Sequence, residues 1–129
     1  MDNRLRKHYE RGKFGIPFSV PNKRFEPSEM KLKYWAELTD MPNGARKETL
    51  ENTRRQGIFQ ISLFIPLNED TETLHAKADE ILAYYGVEQS HRLDDNTELY
   101  VMSSYKSQGM PSGAWFMLPI TIDYHIVKS

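Results

Sequence analysis

His75 and Asp79 stand four residues apart in the segment from Thr71 to Gly86. On a helix that spacing places an imidazole and a carboxylate on one face, which is half of a divalent-metal site. No third ligand follows at a fixed spacing, so a solvated helix face is the plainer reading. Asp94 and Asp95 offer two carboxylates for acid/base work. Adjacent strand residues point apart, however, and Leu93-Asp94-Asp95-Asn96-Thr97 has the composition of a turn. His125 and Asp123 share one strand face, yet no motif fixes a serine or threonine beside them. The seven glycines never cluster into a phosphate-cradling loop. There is no cysteine, which removes disulfides, thiolate metal sites and cysteine nucleophiles. The expectation is a protein that is not an enzyme, with no catalytic residue, no metal and no cofactor.

Basic side chains gather in two places. One is Arg4, Arg6, Lys7, Arg11 and Lys13, interleaved with His8, Tyr9 and Phe14, a mixture that can grip nucleic acid. The other is Arg46, Lys47, Arg54 and Arg55, diluted by Glu48 and Glu51. Over the whole chain 17 basic residues meet 18 acidic ones, for a net charge of −1. That balance exerts no general pull toward nucleic acid or an anionic membrane. A solvated surface or a protein contact is the favoured reading of both clusters, with a small nucleic-acid-binding module as the alternative. No apolar run is long enough to span a bilayer, and Met1-Asp2-Asn3-Arg4-Leu5-Arg6-Lys7 lacks the apolar stretch of a secretion signal. A soluble chain made and used in the cytoplasm is expected.

The elements that would position these groups are legible from periodicity. Phe59, Ile61, Leu63 and Ile65 alternate with Gln60 and Ser62, which predicts a strand ending at Pro66. Leu74, Ala78, Ile81, Leu82 and Tyr85 recur every three or four residues, which predicts a helix from Thr71 to Tyr85. Asp70 or Thr71 can cap its start, and Gly86 stands where a left-handed C-terminal cap belongs. Leu32, Tyr34, Ala36 and Leu38 alternate with Lys33, Trp35, Glu37 and Thr39, a second strand signal over Lys31 to Asp40. Thr97 to Tyr105 reads as a strand with Leu99, Val101 and Ser103 on one face. From Ala114 onward, Phe116, Leu118, Ile120, Ile122, Tyr124 and Ile126 hold one face of the last strand. Pro119 lacks an amide donor, so an edge position or a bulge is expected there. Residues 2 to 11 read as a short basic helix, and Phe18 to Val20 as a short strand within a proline-containing loop.

The fold class expected is α+β: a mostly antiparallel sheet with helices packed on one face. At 129 residues and 39% apolar content the chain makes one domain with a real core. Residues 1–20 form an N-terminal helix and loop arm. Residues 41–56 form a mobile loop or hairpin tip that contacts a partner. Trp35, Trp115 and Met117 stand opposite the core-facing residues of their strands. A covering loop or a subunit interface, where aromatics and methionine are enriched, would account for them. The candidate partner interface therefore comprises Arg46, Lys47, Arg54, Arg55, Trp35, Trp115 and Met117.

Three blocks carry a family resemblance. Asn22-Lys23-Arg24-Phe25-Glu26-Pro27 precedes the strand with Tyr34-Trp35. Gly57-Ile58-Phe59-Gln60-Ile61 precedes the helix from Ala76 to Tyr85. Trp115 precedes Leu118-Pro119-Ile120-Thr121-Ile122. In order and spacing, over about Pro21 to Val127, these blocks resemble the bacteriophage tail-terminator, or tail-completion, proteins. The chain departs from them in its polar first helix and in Leu67-Asn68-Glu69-Asp70, which replaces a glycine-rich turn. The resemblance implies a virion protein of the tail and neck that assembles in the host cytoplasm. It implies a hexameric ring that caps the head-proximal end of the tail tube, ends tube polymerisation and meets the head connector. The implied partners are further copies of the chain, the tail tube protein and the neck proteins. DNA would pass through the ring without specific binding, and no membrane is involved. Another neck or head–tail adaptor of the virion is the alternative.

Overall fold

The computed structural model describes residues 3–20, 33–42, 54–87 and 90–128. The order of elements is α1 (Asn3–Arg11), β1 (Phe18–Ser19), β2 (Trp35–Pro42), β3 (Arg54–Pro66), α2 (Glu72–Tyr84), β4 (Ser90–Asp94), β5 (Thr97–Lys106), β6 (Met110–Ser112) and β7 (Trp115–Lys128). The strands form one sheet in the order β1-β2-β3-β7-β5-β4, with β6 folded back on β7. Every pairing is antiparallel except β1 with β2, so the sheet is mixed rather than purely antiparallel.

The helices cover one face. Helix α2 packs on β3, β5 and β7, and α1 on β4. Leu74, Ala78, Ile81 and Tyr85 meet Phe59, Ile61, Leu63, Leu99, Leu118, Ile120 and Ile122 in one continuous core, joined by Leu5 and Tyr9 of α1. The alternation read from the sequence explains this, because period two puts every second residue of β3 and β7 on the helix side. Burial of these side chains is the main stabilising term, worth roughly 1.5–3 kcal/mol for each large one.

Three local expectations are corrected, at Pro119, at Ser103 and at Gly86. Pro119 is in the middle of the sheet, opposite Ser62 of β3. Its carbonyl accepts the Ser107 amide at 2.9 Å. A strand residue's N–H and C=O point to the same neighbour, so the missing donor lies on the β5 side, just past the last β5 pair, Lys106 with Ile120. No bond to β3 is lost. The bulge lies instead in β5, between Val101 and Ser103. It swaps the faces, so Ser103 leaves the core side and pairs with Asp123. Gly86 is not a left-handed cap: the positive-φ glycines among the described residues are Gly15 and Gly113. Helix α2 ends because Tyr85 turns fully into the core, its amide still bonded to the Ile81 carbonyl at 3.0 Å. At the other end the cap is Asp70, one of the two residues expected there, with Oδ1 accepting the Glu72 amide at 3.0 Å, while the Thr71 side chain makes no capping bond.

Candidate partner interface

The face of the sheet away from the helices holds the site. Trp35 and Phe64 are cross-strand partners on β2 and β3. Their rings stack with centroids 4.0 Å apart and planes 7° from parallel. Trp115 meets Trp35 edge-on at 5.8 Å. Met117 lies opposite Phe64 on one side and Met110 on the other. Three expected interface residues, Trp35, Trp115 and Met117, are thus brought together. Phe64 was missed, because nothing in one strand's pattern says which residue of another it will face. Trp35 and Phe64 are buried, whereas Trp115 and Met117 are half-buried. Along the same face Met41, Ile58, Tyr100, Tyr105 and Met110 are exposed. Between them lie Thr39, Gln60, Ser62 and Thr121, and the carboxylates Glu37 and Asp123 share the face. A polar matrix set with aromatic and methionine side chains is the composition of a protein-contact surface.

The basic part of the expected interface is not brought to this patch. Arg54 and Arg55 begin β3, in register with Val127 and Ile126. Arg46 and Lys47 lie outside the described residues, as do 43–53 of the expected loop or hairpin tip. In the N-terminal cluster Arg11 is spent on the fold. Its guanidinium donates to the Leu93 carbonyl at 3.0 Å and to the Arg92 carbonyl at 3.4 Å, holding α1 to β4.

The groups that suggested chemistry are otherwise engaged. Lys106 places its ammonium between His75 and Asp79, 3.2 Å from Nδ1 and 2.9 Å from Oδ1. A cation therefore does bridge the pair, but it is a side chain. Among the described residues no three His, Asp or Glu side chains come close enough to hold a metal. Asp94 accepts from the Asn96 amide and the Thr97 hydroxyl in the β4–β5 turn. Those bonds, the Thr97 one foremost, hold its carboxyl below the ordinary range. Asp123 accepts from Ser103 at 2.5 Å, and His125 lies against Tyr100.

A cluster that the sequence did not disclose joins α1 to the end of α2. The His8 ring lies 4.8 Å from Tyr84, 5.3 Å from Tyr85 and 4.9 Å from His91. Its Nδ1 contacts the Tyr85 hydroxyl at 3.3 Å, and Tyr84 donates to the His8 carbonyl at 2.7 Å. Burial, then the neighbouring His91 and Arg11, push the His8 pKa down to about 4. Burial also lowers His91. A neutral imidazole in an aromatic socket is a structural joint.

The chain is thus a two-layer α+β protein with one helix-covered face and one open face rich in aromatic and methionine side chains. The family profile of phage tail terminator proteins matches residues 2–124, and this chain belongs to that family. It is a structural, non-catalytic family, which makes the chain a component of a bacteriophage tail. No curated protein matches it. Eight solved chains do. One of them aligns with a TM-score of 0.75 at 17% identity, covering 98% of this chain and 96% of its own. At that identity the likeness concerns the fold alone.

Proposed function

We propose that this chain caps the head-proximal end of a phage tail tube as a hexameric ring, ends tube polymerisation and offers the surface to which the head joins. Family membership over residues 2–124 carries the reading. The exposed Met41, Ile58, Tyr100, Tyr105 and Met110 on the uncovered sheet face support it, since a face of that composition is more stable against protein than against water. A cap must make two unlike contacts, one around the ring and one along the tube. Ring contacts repeat head to tail and must close. The contact along the tube is made once and blocks the next tube ring. DNA passes through without sequence-specific contact.

The test is a phage lacking this gene, viewed by electron microscopy. Tails of uncontrolled length, or tails unjoined to heads that still fill with DNA, are the expected result. Normal-length tails attached to heads would overturn the proposal. Replacing Arg54 and Arg55 together by glutamate reproduces part of the defect in a protein that still folds, because both lie outside the apolar alternation of β3.

A further inference from the structure

A cavity of about 440 Å³ opens at the end of the sheet that β2 and β3 reach at Met41 and Gln56. Its outer wall comes from the β5 bulge, which turns Met102 outward and leaves it 54% exposed. Met41 and Ile58, 43% and 37% exposed, complete apolar walls. Among the described residues lining it, the one charged group is Asp123. Its Oδ2 is taken by the Ser103 hydroxyl, while Oδ1 has no hydrogen bond among the described residues. A slot with flexible apolar sides and one half-satisfied carboxylate fits a methylene stem that ends in a cation, which is a lysine or arginine side chain.

The chain itself supplies such side chains on the other side of the sheet. Among the described residues Lys7, Lys13 and Lys33 are exposed, and their side chains have no ion pair or hydrogen bond. Lys33 lies two residues before β2, the strand whose far end lines the cavity. Lys7 and Lys13 belong to α1 and the turn after it, which pack on the helix-covered face through Leu5, Tyr9 and Phe14. The cavity walls Met41, Ile58 and Asp123 belong to the opposite face by register. A contact between the α1 cations of one copy and this cavity of the next joins two unlike surfaces. That is what a head-to-tail ring needs and what a two-fold pair does not.

We infer that the Asp123 cavity is the socket of the contact around the ring, and that it receives Lys7 or Lys13 of a second copy of this chain. The inference rests on the ring reading above and adds the two surfaces that meet. Carbodiimide coupling tests it directly. The reagent activates a carboxylate, a touching lysine amine displaces it, and an amide forms while the reagent leaves as its urea.

The coupling is run on the concentrated purified chain and on isolated tails, and the linked peptides are read by mass spectrometry. The expected product is an interchain amide between Asp123 and Lys7 or Lys13. Asp123→Asn keeps the Ser103 hydrogen bond and an unchanged circular dichroism spectrum, and it lowers the yield of coupled oligomer at least about tenfold. Asp123→Lys abolishes assembly, and Lys7→Glu with Lys13→Glu restores it. Oligomers linked only through other carboxylates, assembly undisturbed by Asp123→Lys, or a chain monomeric in both settings would each overturn the inference. If the chain is in tails but coupled elsewhere, the socket fails and the tail role stands. If it couples at Asp123 but is absent from tails, the tail role fails and the socket stands.

Discussion

Tyr124 and Asp40 sit on β7 and β2, with β3 between them, and the Tyr124 hydroxyl donates to Asp40 Oδ1 at 2.5 Å. The bond crosses a whole strand because the residue under it is Gly57, the direct partner of Tyr124. A Cβ at Gly57 would come within 2.7 Å of the Tyr124 oxygen and 3.0 Å of the Met41 carbonyl. Three strands are thus tied at one end of the sheet by a phenol lying over a glycine.

Tyr124→Phe removes the donor and leaves a half-buried carboxylate short of a bond, for a loss of about 1–3 kcal/mol. Gly57→Ala costs a similar amount through crowding. The two changes are not additive, because in the Phe background the hydroxyl is no longer in the way of the new methyl. Chemical denaturation of the two single variants and the double variant measures this. Strict additivity would show that the glycine serves something other than the tyrosine.

Ile81 of α2 faces the core with no exposed surface, whereas Glu80 is exposed and paired with Lys77. Ile81→Asp buries a charge without a partner and unfolds the domain, since its cost of several kcal/mol rivals a total stability of roughly 5–15 kcal/mol. Glu80→Ala shifts the denaturation midpoint hardly at all. Equal shifts would mean that the other face of α2 is the buried one.

Acid loosens the α1 joint. His8 has its pKa pushed from 6.5 down to about 4 by burial, so above pH 6.5 the folded and unfolded chains both carry it neutral and its stability contribution is intact. As the pH falls from there, the unfolded chain takes up a proton that the folded chain refuses. Stability is lost toward pH 4 by no more than roughly 3 kcal/mol, and the loss levels off below. His91, also lowered, adds in the same direction. His8→Phe flattens the profile of denaturation midpoint against pH between 6.5 and 4.5. An unchanged slope in that variant would place the acid sensitivity elsewhere.

Chelators leave the melting temperature unchanged, because the Lys106 ammonium already occupies the place between His75 and Asp79. Lys106→Met costs under about 1 kcal/mol, as Asp79 is exposed to water. A fall of several degrees on adding chelator would show a bound metal that contributes to folding.

The sequence disclosed the long elements and also α1 and β1, but missed β4 and β6 for a physical reason. In β3, β7 and α2 the alternation of apolar residues runs for many positions, and burial imposes it directly. In β4 the one buried apolar side chain is Leu93, and in β6 Met110, Pro111 and Ser112 are all exposed. These two strands form because their backbones find partners in β5 and β7, which leaves no periodicity to read. The same division holds at the site. That Trp35, Trp115 and Met117 leave the core face was legible from parity within each strand. That Trp35 stacks on Phe64 depends on register between strands, and the β5 bulge depends on a misfit at Met102 that no local pattern carries.

Strand β7 is the seventh strand in order of synthesis, yet it is the one on which the sheet closes, lying between β3 and β5 and carrying β6 as well. Arg54 waits for Val127, and Leu63 for Leu118. Until β7 has been made, β3 and β5 each offer an unpaired edge, and the Ile58-to-Ile65 run of β3 is as ready to pair with a neighbouring chain as with its own partner. Pairings this distant along the chain also close slowly. Newly made protein therefore passes through a stage in which crowding is hazardous, and its yield in a cell depends on the rate of translation and on chaperones that shield those edges more than on the stability of the finished fold.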